Sequence, residues 1–531
     1  MFTSKNRIYT LTLLTLALWA QSCTSSNILG LFPHFGYSHF KVFYPILQNL
    51  AERGHNVTVI TYIKNPDPHP NYEEFIITGK ETHDVITLDM FTPARNLKIL
   101  FHEYYLLHAE GQESCDKFYK SGYVDKILAR HARVPYDLVI MENFNTDCYF
   151  GVPYLLQVPV VGVSSCALMP WYYDRIALPD IPSYVQSEFI GFPETLNWQQ
   201  RLTNFIQAKG LRTLYRFYTN YLDSKVIKKY LQIDVDVNEI AKSLTSLIFV
   251  NQHYSLSGNR PITPQLIQMG GVHINEKHIN DTLPKDITNF LDKIDESATK
   301  GVLFISWGSM IRSSSLDRKL INTILKVLKK FPLKVIWKWE TDEKPTNSEQ
   351  ILFVKWAPQF NLLCHPKVKY FWGHGGLLGT TEAVYCGKPL IVTPIYGDQF
   401  TNANAVENRK VGVIMDYNDI DENRLVNTIQ EIMRTRYTEN ALALSKIFRN
   451  REKTPIETTT WWIEHLLQNG KIASELLHNK AVHLNWFVYH SLDSALILLL
   501  GTILFLIFIC RLVKIANLAW KRRLTHKIKQ N

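Results

Sequence analysis

The sequence predicts an α/β protein with two facing, doubly wound domains built on parallel sheets, followed by one C-terminal transmembrane helix. Three observations predict this fold class. Two separate regions repeat the same order of apolar run, turn and helical segment. The apolar runs lack a polar face, as expected for parallel strands that helices cover on both sides. Near the C-terminus, residues 494–510 form a stretch of 17 residues without a charge, which with its flanks can cross a bilayer.

The first region begins with a short apolar strand at residues 27–32. A loop at 33–37 and a helical pattern follow. Gly54 ends that helix, because glycine is favoured just past a helix C-terminus. Further strands are predicted at 57–61, 138–141 and 158–163.

The second region begins at Gly301, with strands predicted at 301–306, 335–339, 368–372 and 390–392. Between the two regions, residues 255–300 are rich in turn signals. A chain of 531 residues has room for two large domains. The predicted organisation is a signal peptide at 1–22, an N-terminal domain at 23–260, a linker region at 261–300, a C-terminal domain with return helices at 301–480, a transmembrane helix at 491–513 and a basic tail at 514–531.

The N-terminus has the pattern of a secretory signal peptide. Lys5 and Arg7 precede an apolar run at 8–20, and small residues follow it. The two N-glycosylation sequons, at Asn56 and Asn280, fit the same secretory route.

The C-terminal tail predicts the orientation in the membrane. Residues 511–531 contain seven basic residues and no acidic residue, and basic segments stay on the cytosolic side. We therefore expect a single-pass type I protein with a lumenal body. Lys527 and Lys529 resemble the dilysine retrieval signal of the endoplasmic reticulum. A generic basic tail that attracts anionic lipid is the alternative interpretation.

The net charge of +10 lies mostly at the two ends of the chain. The tail contributes +7 and residues 1–22 contribute +2, which leaves +1 for the body. A near-neutral body has no electrostatic footprint for nucleic acid, so we expect no nucleic-acid partner. The seven cysteines include no C-x-x-C pair, which argues against a zinc site and against a disulfide scaffold.

The richest candidate site lies between Trp356 and Gln399. A strand at 368–372 runs into Gly373-His374-Gly375-Gly376, and a helical segment begins shortly after. This arrangement brings unpaired backbone N–H groups and the positive end of a helix dipole to one point, which favours binding of phosphate. Glycine also allows the backbone to approach a ligand closely.

Three other glycine motifs do not fit this part of the chain. A dinucleotide-binding G-x-G-x-x-G motif requires glycine at the position of Leu378. A P-loop before Gly387-Lys388 requires glycine and a hydroxyl residue at the positions of Glu382 and Pro389. A His-Gly-Gly oxyanion hole accompanies a G-x-S-x-G elbow, which the sequence does not contain.

The stretch 356–399 resembles the donor-binding signature of the UDP-glycosyltransferases, which are membrane enzymes that move sugars from UDP-sugars to small lipophilic acceptors. The resemblance extends over nearly the whole chain and includes Ser306-Trp307-Gly308-Ser309 and Arg53-Gly54-His55. The residues around Asp147 and Ser165 resemble insect members. The family implies a GT-B-like pair of Rossmann-like domains, with the acceptor site in the N-terminal domain and the UDP-sugar site in the C-terminal domain.

The resemblance implies a role for each donor-side residue. Trp356 would stack on uracil, Gln359 would contact the nucleoside, and Glu382 would accept hydrogen bonds from the ribose hydroxyls. The diphosphate would be held by one loop and by the glycine-rich turn, through Gly308, Ser309, His374, Gly375 and Gly376.

The transferred sugar would be bound through its hydroxyls by Asp398 and Gln399. Leu378 departs from vertebrate-type members, which usually have asparagine at this position. The departure removes a side-chain donor, so the phosphate site would depend more on backbone amides and on His374.

By the same resemblance, His39 is the catalytic base. It lies in the first loop, beyond the carboxyl end of the first strand, where ligands bind in open α/β sheets. A neutral imidazole suits the removal of a proton from an acceptor hydroxyl. His34 and His55 are rival histidines.

Such a base needs a carboxylate to orient its ring. Glu142 directly follows the strand at 138–141, and Asp147 lies five residues further on. Alignment without gaps favours Glu142, whereas residue type and the insect-like sequence favour Asp147. We expect Asp147 to fill this role, with Glu142 as the alternative.

The expected reaction is an inverting transfer of a hexose to a hydroxyl of a small lipophilic acceptor, with glucose favoured and glucuronic acid as the other donor. Such an enzyme of the endoplasmic reticulum membrane would serve detoxification. We expect no cofactor besides the UDP-sugar co-substrate and no metal, since the D-x-D sequence Asp234-Val235-Asp236 is interpreted as a solvated segment. The alternative is a non-catalytic, membrane-anchored binding protein for lipophilic ligands. The sequence leaves open a homo-oligomer.

Overall fold

The computed structural model describes residues 25–77, 97–279 and 281–528. The predicted signal peptide at 1–22, the sequon asparagine Asn280 and the basic residue Lys529 lie outside these residues. At the other sequon, Asn56 is exposed and begins a strand.

Two parallel sheets form the body, as predicted. The first has the strand order β3-β2-β1-β4-β5-β6-β7 and the second the order β10-β9-β8-β11-β12-β13. The strands of the first sheet are β1 Asn27–Phe32, β2 Asn56–Thr61, β3 Tyr72–Ile76, β4 Leu138–Glu142, β5 Val160–Ser164, β6 Thr245–Val250 and β7 Leu266–Gln268. Those of the second are β8 Val302–Ser306, β9 Lys334–Lys338, β10 Ile351–Val354, β11 Val368–Gly373, β12 Leu390–Val392 and β13 Gly412–Ile414.

Helices connect the strands and cover both sheets. In the first part of the body they are α1 Tyr37–Glu52, α2 Leu97–Lys120, α3 Tyr123–His131, α4 Gly151–Leu156, α5 Trp198–Leu214, α6 Asn220–Leu231, α7 Val237–Leu244 and α8 Tyr254–Ser257. The second part contains α9 Lys285–Asp292, α10 Arg318–Leu328, α11 Gln359–Cys364, α12 Leu377–Tyr385, α13 Gln399–Asn408, α14 Glu422–Ile432, α15 Thr435–Arg449 and α16 Pro455–Leu477.

Alternation along the strands explains why each sheet is covered on both faces. In β1, Leu29 and Leu31 belong to one apolar cluster, whereas Ile28 and Phe32 belong to another. Successive side chains of a strand point to opposite faces. An uninterrupted apolar run therefore fills two cores at once, which requires helices on both sides.

The chain passes between the domains more than once. Strand β7 of the first sheet lies within the stretch 261–300 that the sequence analysis assigned to the linker region. After the second sheet, helix α16 packs against the first domain, with Ile463 and Leu466 in the cluster that contains Ile28. Arg53 of the first domain donates two hydrogen bonds to the Glu464 carboxylate.

Two disulfides fix segments next to the strand ends. One joins Cys115 of α2 to Cys148 beyond β4, and the other joins Cys364 to Cys386, at the ends of α11 and α12. Among the described residues, the other cysteines are the buried Cys166 and the exposed Cys510.

Residues 479–531 form a second compact unit. Its described part contains the short helix α17 Trp486–Tyr489 and the long helix α18 Leu492–Ile528. Over Leu492–His526, this helix is long and apolar enough to cross a membrane. It agrees with the predicted transmembrane helix at 491–513 and continues as a helix into the predicted tail.

Candidate active site

The first candidate group lies where the strand order of the first sheet reverses. Strands β1 and β4 are neighbours there, and the connections from them lead in opposite directions along the sheet. Ligands of open α/β sheets bind in such a crevice, at the carboxyl ends of the strands. The loop after β1 leads into α1, which contains His39, and Glu142 is the last residue of β4.

His39 and Glu142 are in direct contact. His39 Nδ1 lies 2.5 Å from Glu142 Oε1. Ser165, in the turn after β5, places its Oγ 2.8 Å from His39 Nδ1 and 3.2 Å from Glu142 Oε1. A carboxylate on one ring nitrogen fixes the tautomer, so that the other nitrogen is available as a base.

Burial determines the charge state of this pair. Desolvation lowers the pKa of His39 to about 3, so its imidazole is neutral at physiological pH. Burial also raises the pKa of Glu142 to about 7, while His34 and the Ser165 hydroxyl act in the opposite direction. The carboxyl group therefore changes its charge near neutral pH.

Asp147, the expected partner of His39, lies elsewhere in the structure. Its carboxylate pairs with the guanidinium of Arg175 and accepts a 2.9 Å hydrogen bond from Asn220 Nδ2. Asp147 and Arg175 are each 1% exposed. The reason is the path of the chain after β4, which turns into a 3-10 helix at Cys148–Phe150 and directs Asp147 into the helical layer. The geometry thus places the alternative, Glu142, beside His39.

The rival histidines occupy different surroundings. His34 stacks on the His39 ring at 4.1 Å between centroids, and its Nδ1 accepts a 2.9 Å hydrogen bond from the Gly36 N–H. His55 is buried away from this group, with Nε2 3.5 Å from Glu464 of the return helix.

The second candidate group lies at the corresponding reversal in the second sheet. Strands β8 and β11 are neighbours there, and the loops beyond them contain Gly308 and His374. A Cβ on Gly308 would lie 2.5 Å from His374 Cε1, and one on Gly376 would lie 2.4 Å from His374 Nε2. The imidazole is therefore held between two glycines, and burial lowers its pKa to about 4, with a smaller effect from Lys338.

Two helix N-termini meet beside this imidazole. Helix α12 begins at Leu377, after β11, and helix α13 begins at Gln399, after β12. Asn402 Nδ2 donates a 2.9 Å hydrogen bond to the Gly375 carbonyl and thereby joins the two turns. The positive ends of both helix dipoles lie at these turns, which suits an anion such as a phosphate.

Lys338 is a cation of this group that the sequence analysis did not identify. It is the last residue of β9, and its Nζ donates a 2.5 Å hydrogen bond to the Gly308 carbonyl. The Lys338 side chain is 17% exposed, and desolvation lowers its pKa. Ser309, the next residue of that loop, is exposed. Ligands of open α/β sheets bind at the carboxyl ends of the strands, so the position of Lys338 at the end of β9 is the signal that could have identified it.

Gln359 and Glu382 form a pair on α11 and α12. Gln359 Nε2 donates a 2.6 Å hydrogen bond to Glu382 Oε2. Gly379 allows this approach, because a Cβ there would lie 2.9 Å from Gln359 Nε2. Burial raises the pKa of Glu382, and Lys41 and Gln359 oppose the shift. Trp356, three residues before Gln359, exposes 63% of its surface and offers a flat face for stacking.

Asp398 and Gln399 lie at the start of α13. The Gln399 carboxamide oxygen accepts hydrogen bonds from the Ile395 and Tyr396 amides, which fixes its side chain. Asp398 Oδ2 accepts a 3.1 Å hydrogen bond from Asn402, and burial raises its pKa to about 6.

The first domain contributes a carboxyl group near Asp398. Glu188 is 7% exposed, and burial together with the Asp398 charge raises its pKa to about 8. Its loop packs against α13, because a Cβ on Gly191 would lie 2.4 Å from the Phe400 carbonyl. The two domains therefore meet beside Asp398 and Gln399.

Leu378 has a packing role. It contacts the apolar cluster of the first domain that contains Ile28 and Ile463. The side chain that replaces the asparagine of vertebrate-type members thus joins α12 to the opposite domain. In the D-x-D sequence, Asp236 pairs with Arg216 and Asp234 pairs with Lys228.

Among the residues that the structure describes, one cluster has the composition of a metal site. His34, His39 and Glu142 each place one potential ligand atom within 4.8 Å of the others. Two of these groups already use their lone pairs within the protein, since His34 Nδ1 accepts from Gly36 and Glu142 Oε1 contacts His39. Hydrogen bonding therefore accounts for this arrangement.

Comparison with solved structures confirms the fold class. The fold matches a complex between a UDP-glucosyltransferase from Polygonum tinctorium capable of glucosylating indoxyl and 3,4-dichloroaniline, with a TM-score of 0.55 and 14% identity. The match covers 84% of this chain and 100% of that one. The two domains thus have the GT-B glycosyltransferase fold, as predicted.

Sequence comparison gives the family. The profile of the family "UDP-glucoronosyl and UDP-glucosyl transferase" matches residues 31–530, and the chain belongs to this family. It is 30% identical over 529 residues to UDP-glucosyltransferase 2 of Dactylopius coccus, covering 98% of this chain and 99% of that protein. It is 27% identical over 397 residues to UDP-glucuronosyltransferase 1A7 of Mus musculus, covering 74% and 72% of the two chains. The chain is therefore a glycosyltransferase that moves a sugar from a UDP-sugar to an acceptor.

Proposed function

We propose that this enzyme transfers a hexose, with glucose favoured over glucuronic acid, from the UDP-sugar to a hydroxyl of a small lipophilic acceptor, with inversion. The observation that carries this proposal is the contact of His39 with Glu142, at the reversal point of the first sheet. It provides a neutral, oriented base on the acceptor side of the cleft.

In this reaction the acceptor hydroxyl loses its proton to His39 Nε2 as its oxygen attacks the anomeric carbon. Glu142 stabilises the imidazolium that forms, because its carboxylate lies on the opposite ring nitrogen. Ser165 holds both groups in this arrangement. Attack from the face opposite the leaving group gives inversion in a single step.

The leaving UDP would be stabilised by the second group. The N-termini of α12 and α13 and the His374 imidazole offer hydrogen-bond donors to the diphosphate. Lys338 supplies a positive charge next to the Gly308 loop. Trp356 would stack on uracil, and Glu382 would accept the ribose hydroxyls.

The sugar would lie between Asp398 and Gln399 on one side and the Glu188 loop on the other. Carboxyl groups at this position favour the neutral hydroxyls of glucose. The carboxylate of glucuronic acid would instead be repelled by the negative charge of Asp398. The proximity of Asp398 and Glu188, seen in the raised pKa of Glu188, supports the preference for UDP-glucose.

The test uses the full-length chain in microsomes with UDP-glucose or UDP-glucuronic acid and a panel of phenols. We expect acceptor-dependent UDP release with UDP-glucose, and a β-linked product in the NMR coupling of its anomeric proton. An α-linked product would contradict inversion, and faster release with UDP-glucuronic acid would contradict the sugar preference. UDP binding without release for any acceptor would favour a binding protein for lipophilic ligands.

We also propose that the body is lumenal and anchored in the endoplasmic reticulum by the apolar helix at Leu492–His526. Support comes from the seven basic residues at 511–531. Protease protection of the body in sealed microsomes is the expected result. A glycosidase-sensitive mass shift that the double variant Asn56→Gln, Asn280→Gln removes is expected with it. Digestion of the body without detergent would contradict this orientation.

A further inference from the structure

His273 is a buried histidine in the segment that leaves the first sheet. It follows β7 and the pair Gly270-Gly271, where Gly271 has a φ of +88° that favours glycine. A Cβ on Gly270 would lie 2.6 Å from the Gln252 carbonyl. These two glycines let the chain turn tightly, and they bring the His273 side chain, 2% exposed, to Glu382 of the second domain.

His273 faces the oxygen of the Glu382 carboxylate that Gln359 does not contact. His273 Nε2 lies 3.8 Å from Glu382 Oε1, whereas Gln359 donates to the other oxygen, Oε2, at 2.6 Å. Within the described part of the chain, neither ring nitrogen of His273 makes a hydrogen bond of normal geometry. Buried polar groups nearly always have a partner, so this imidazole is a feature that requires an explanation.

The imidazole is neutral in this position. Burial and the positive charge of Lys41 lower the pKa of His273 to about 3, and a hydrogen bond of poor geometry with the Leu378 backbone acts in the opposite direction. A neutral imidazole has one N–H donor. If His273 Nε2 and Glu382 Oε1 came about 1 Å closer together, this N–H would donate a hydrogen bond of normal length to Oε1.

We propose that His273 is a positioning residue of the ribose subsite, which holds the Glu382 carboxylate for the two hydroxyls of the nucleotide. This proposal rests on the assignment of Glu382 to the ribose. Each carboxylate oxygen can accept two hydrogen bonds. With Gln359 on Oε2 and His273 on Oε1, one acceptor position remains on each oxygen. Two remaining positions on one carboxylate match the neighbouring 2′ and 3′ hydroxyls of a ribose.

A ribose-selective subsite predicts a specific loss when the imidazole is removed. UDP and 2′,3′-dideoxy-UDP share every group except the two hydroxyls. The dissociation constant of 2′,3′-dideoxy-UDP divided by that of UDP therefore measures the contribution of the ribose hydroxyls alone. His273→Ala is expected to lower this ratio about 5–10-fold by weakening UDP, since one well-placed hydrogen bond accounts for roughly such a factor. Binding of 2′,3′-dideoxy-UDP should stay unchanged.

The experiment is calorimetric titration of the full-length protein in detergent micelles with both nucleotides. His273→Gln, whose amide can donate from a similar position, should retain most of the ratio, and the shorter His273→Asn should lose it. The matched control is His278→Ala, in the same segment, where the imidazole is 62% exposed and contacts Asp281. This control should leave both dissociation constants unchanged.

Several results would overturn the proposal. Equal weakening of both nucleotides in His273→Ala would show a general structural role, and an unchanged ratio would show no role. If the alanine variant does not fold, equal ratios in His273→Gln and His273→Asn would overturn it as well. The parallel variant Glu382→Gln separates the two assignments, because an unchanged ratio there would remove Glu382 from the ribose subsite, whatever His273 does.

Discussion

Glu142→Gln replaces the ionisable partner of His39 with a neutral side chain of the same shape. The pKa of Glu142 is raised to about 7 by burial. The ionised fraction of this carboxyl group therefore rises from about one-tenth at pH 6 to about nine-tenths at pH 8. Only the carboxylate stabilises the imidazolium, so kcat/KM of the natural enzyme should rise about tenfold over this interval. Glu142→Gln should abolish this rise and lower kcat by roughly 10²-fold to 10⁴-fold, by no more than removal of the base itself.

The assay is the initial rate of UDP release between pH 5.5 and 8.5, with saturating UDP-sugar and a phenol whose own ionisation lies above this range. Asp147→Asn is the matched control. It leaves Arg175 buried without its charge partner, so it should lower the free energy of unfolding by about 3–5 kcal/mol. Its folded fraction should keep the rise of kcat/KM with pH. A rise that persists in Glu142→Gln, or that only Asp147→Asn removes, would refute the assignment.

Three further predictions concern the donor side and the cleft. Gly308→Ala should weaken the binding of UDP at least tenfold in calorimetry, because its Cβ would lie 2.5 Å from the His374 ring. The control is Gly258→Ala, where φ is similarly positive and no atom lies within 4 Å of the added Cβ. Equal effects of the two variants would contradict the clash. Lys338→Gln should weaken UDP about tenfold and leave uridine unchanged, since its ammonium lies at the Gly308 carbonyl, in the loop proposed to hold the phosphates. Equal loss of both ligands would contradict this role. The pKa of Glu188 is raised to about 8, so the stability that its neutral form contributes is lost as the pH rises from 4.5 through 8. The melting temperature of Glu188→Gln should therefore fall less between pH 6 and 8.5 than that of the natural enzyme. An equal fall in both proteins would contradict the shift.

The fold was predictable because most strands are apolar on both faces. The runs at 27–32 and 301–306 are unambiguous for this reason, and the structure has strands at Asn27–Phe32 and Val302–Ser306. Short edge strands were not predictable. Gly412–Ile414 and Leu266–Gln268 have three residues each, of which only the first is buried. The equally short Leu390–Val392 was predictable because it is apolar and buried throughout.

The second candidate group was predictable because one continuous segment contains most of it. A strand, a glycine-rich turn and a helix N-terminus are adjacent in sequence, so their local geometry follows from the order of the residues. The partner of His39 depends instead on the path of the chain beyond β4. Glu142 is the last residue of that strand and remains at the sheet edge, whereas the 3-10 turn at Cys148–Phe150 turns Asp147 inward.

Ser165 and Lys338 were missed for a related reason. Each residue reaches its group through contacts with segments far away in the chain, Ser165 with His39 and Lys338 with Gly308. No local pattern marks them. Their common signal is a position at or just beyond the carboxyl end of a parallel strand, which the strand order turns into proximity.

The most direct test of the proposed mechanism is acceptor-dependent UDP release by the full-length His39→Ala variant. UDP-glucose and the phenol that the natural enzyme uses best would serve as substrates, and UDP affinity would be measured on the same preparation. Loss of the base should lower turnover by roughly 10²-fold to 10⁴-fold. The dissociation constant of UDP should stay within about twofold, because His39 lies in the opposite domain from the proposed phosphate site. Turnover within a few-fold of the natural enzyme, with UDP still bound, would show that another group removes the proton.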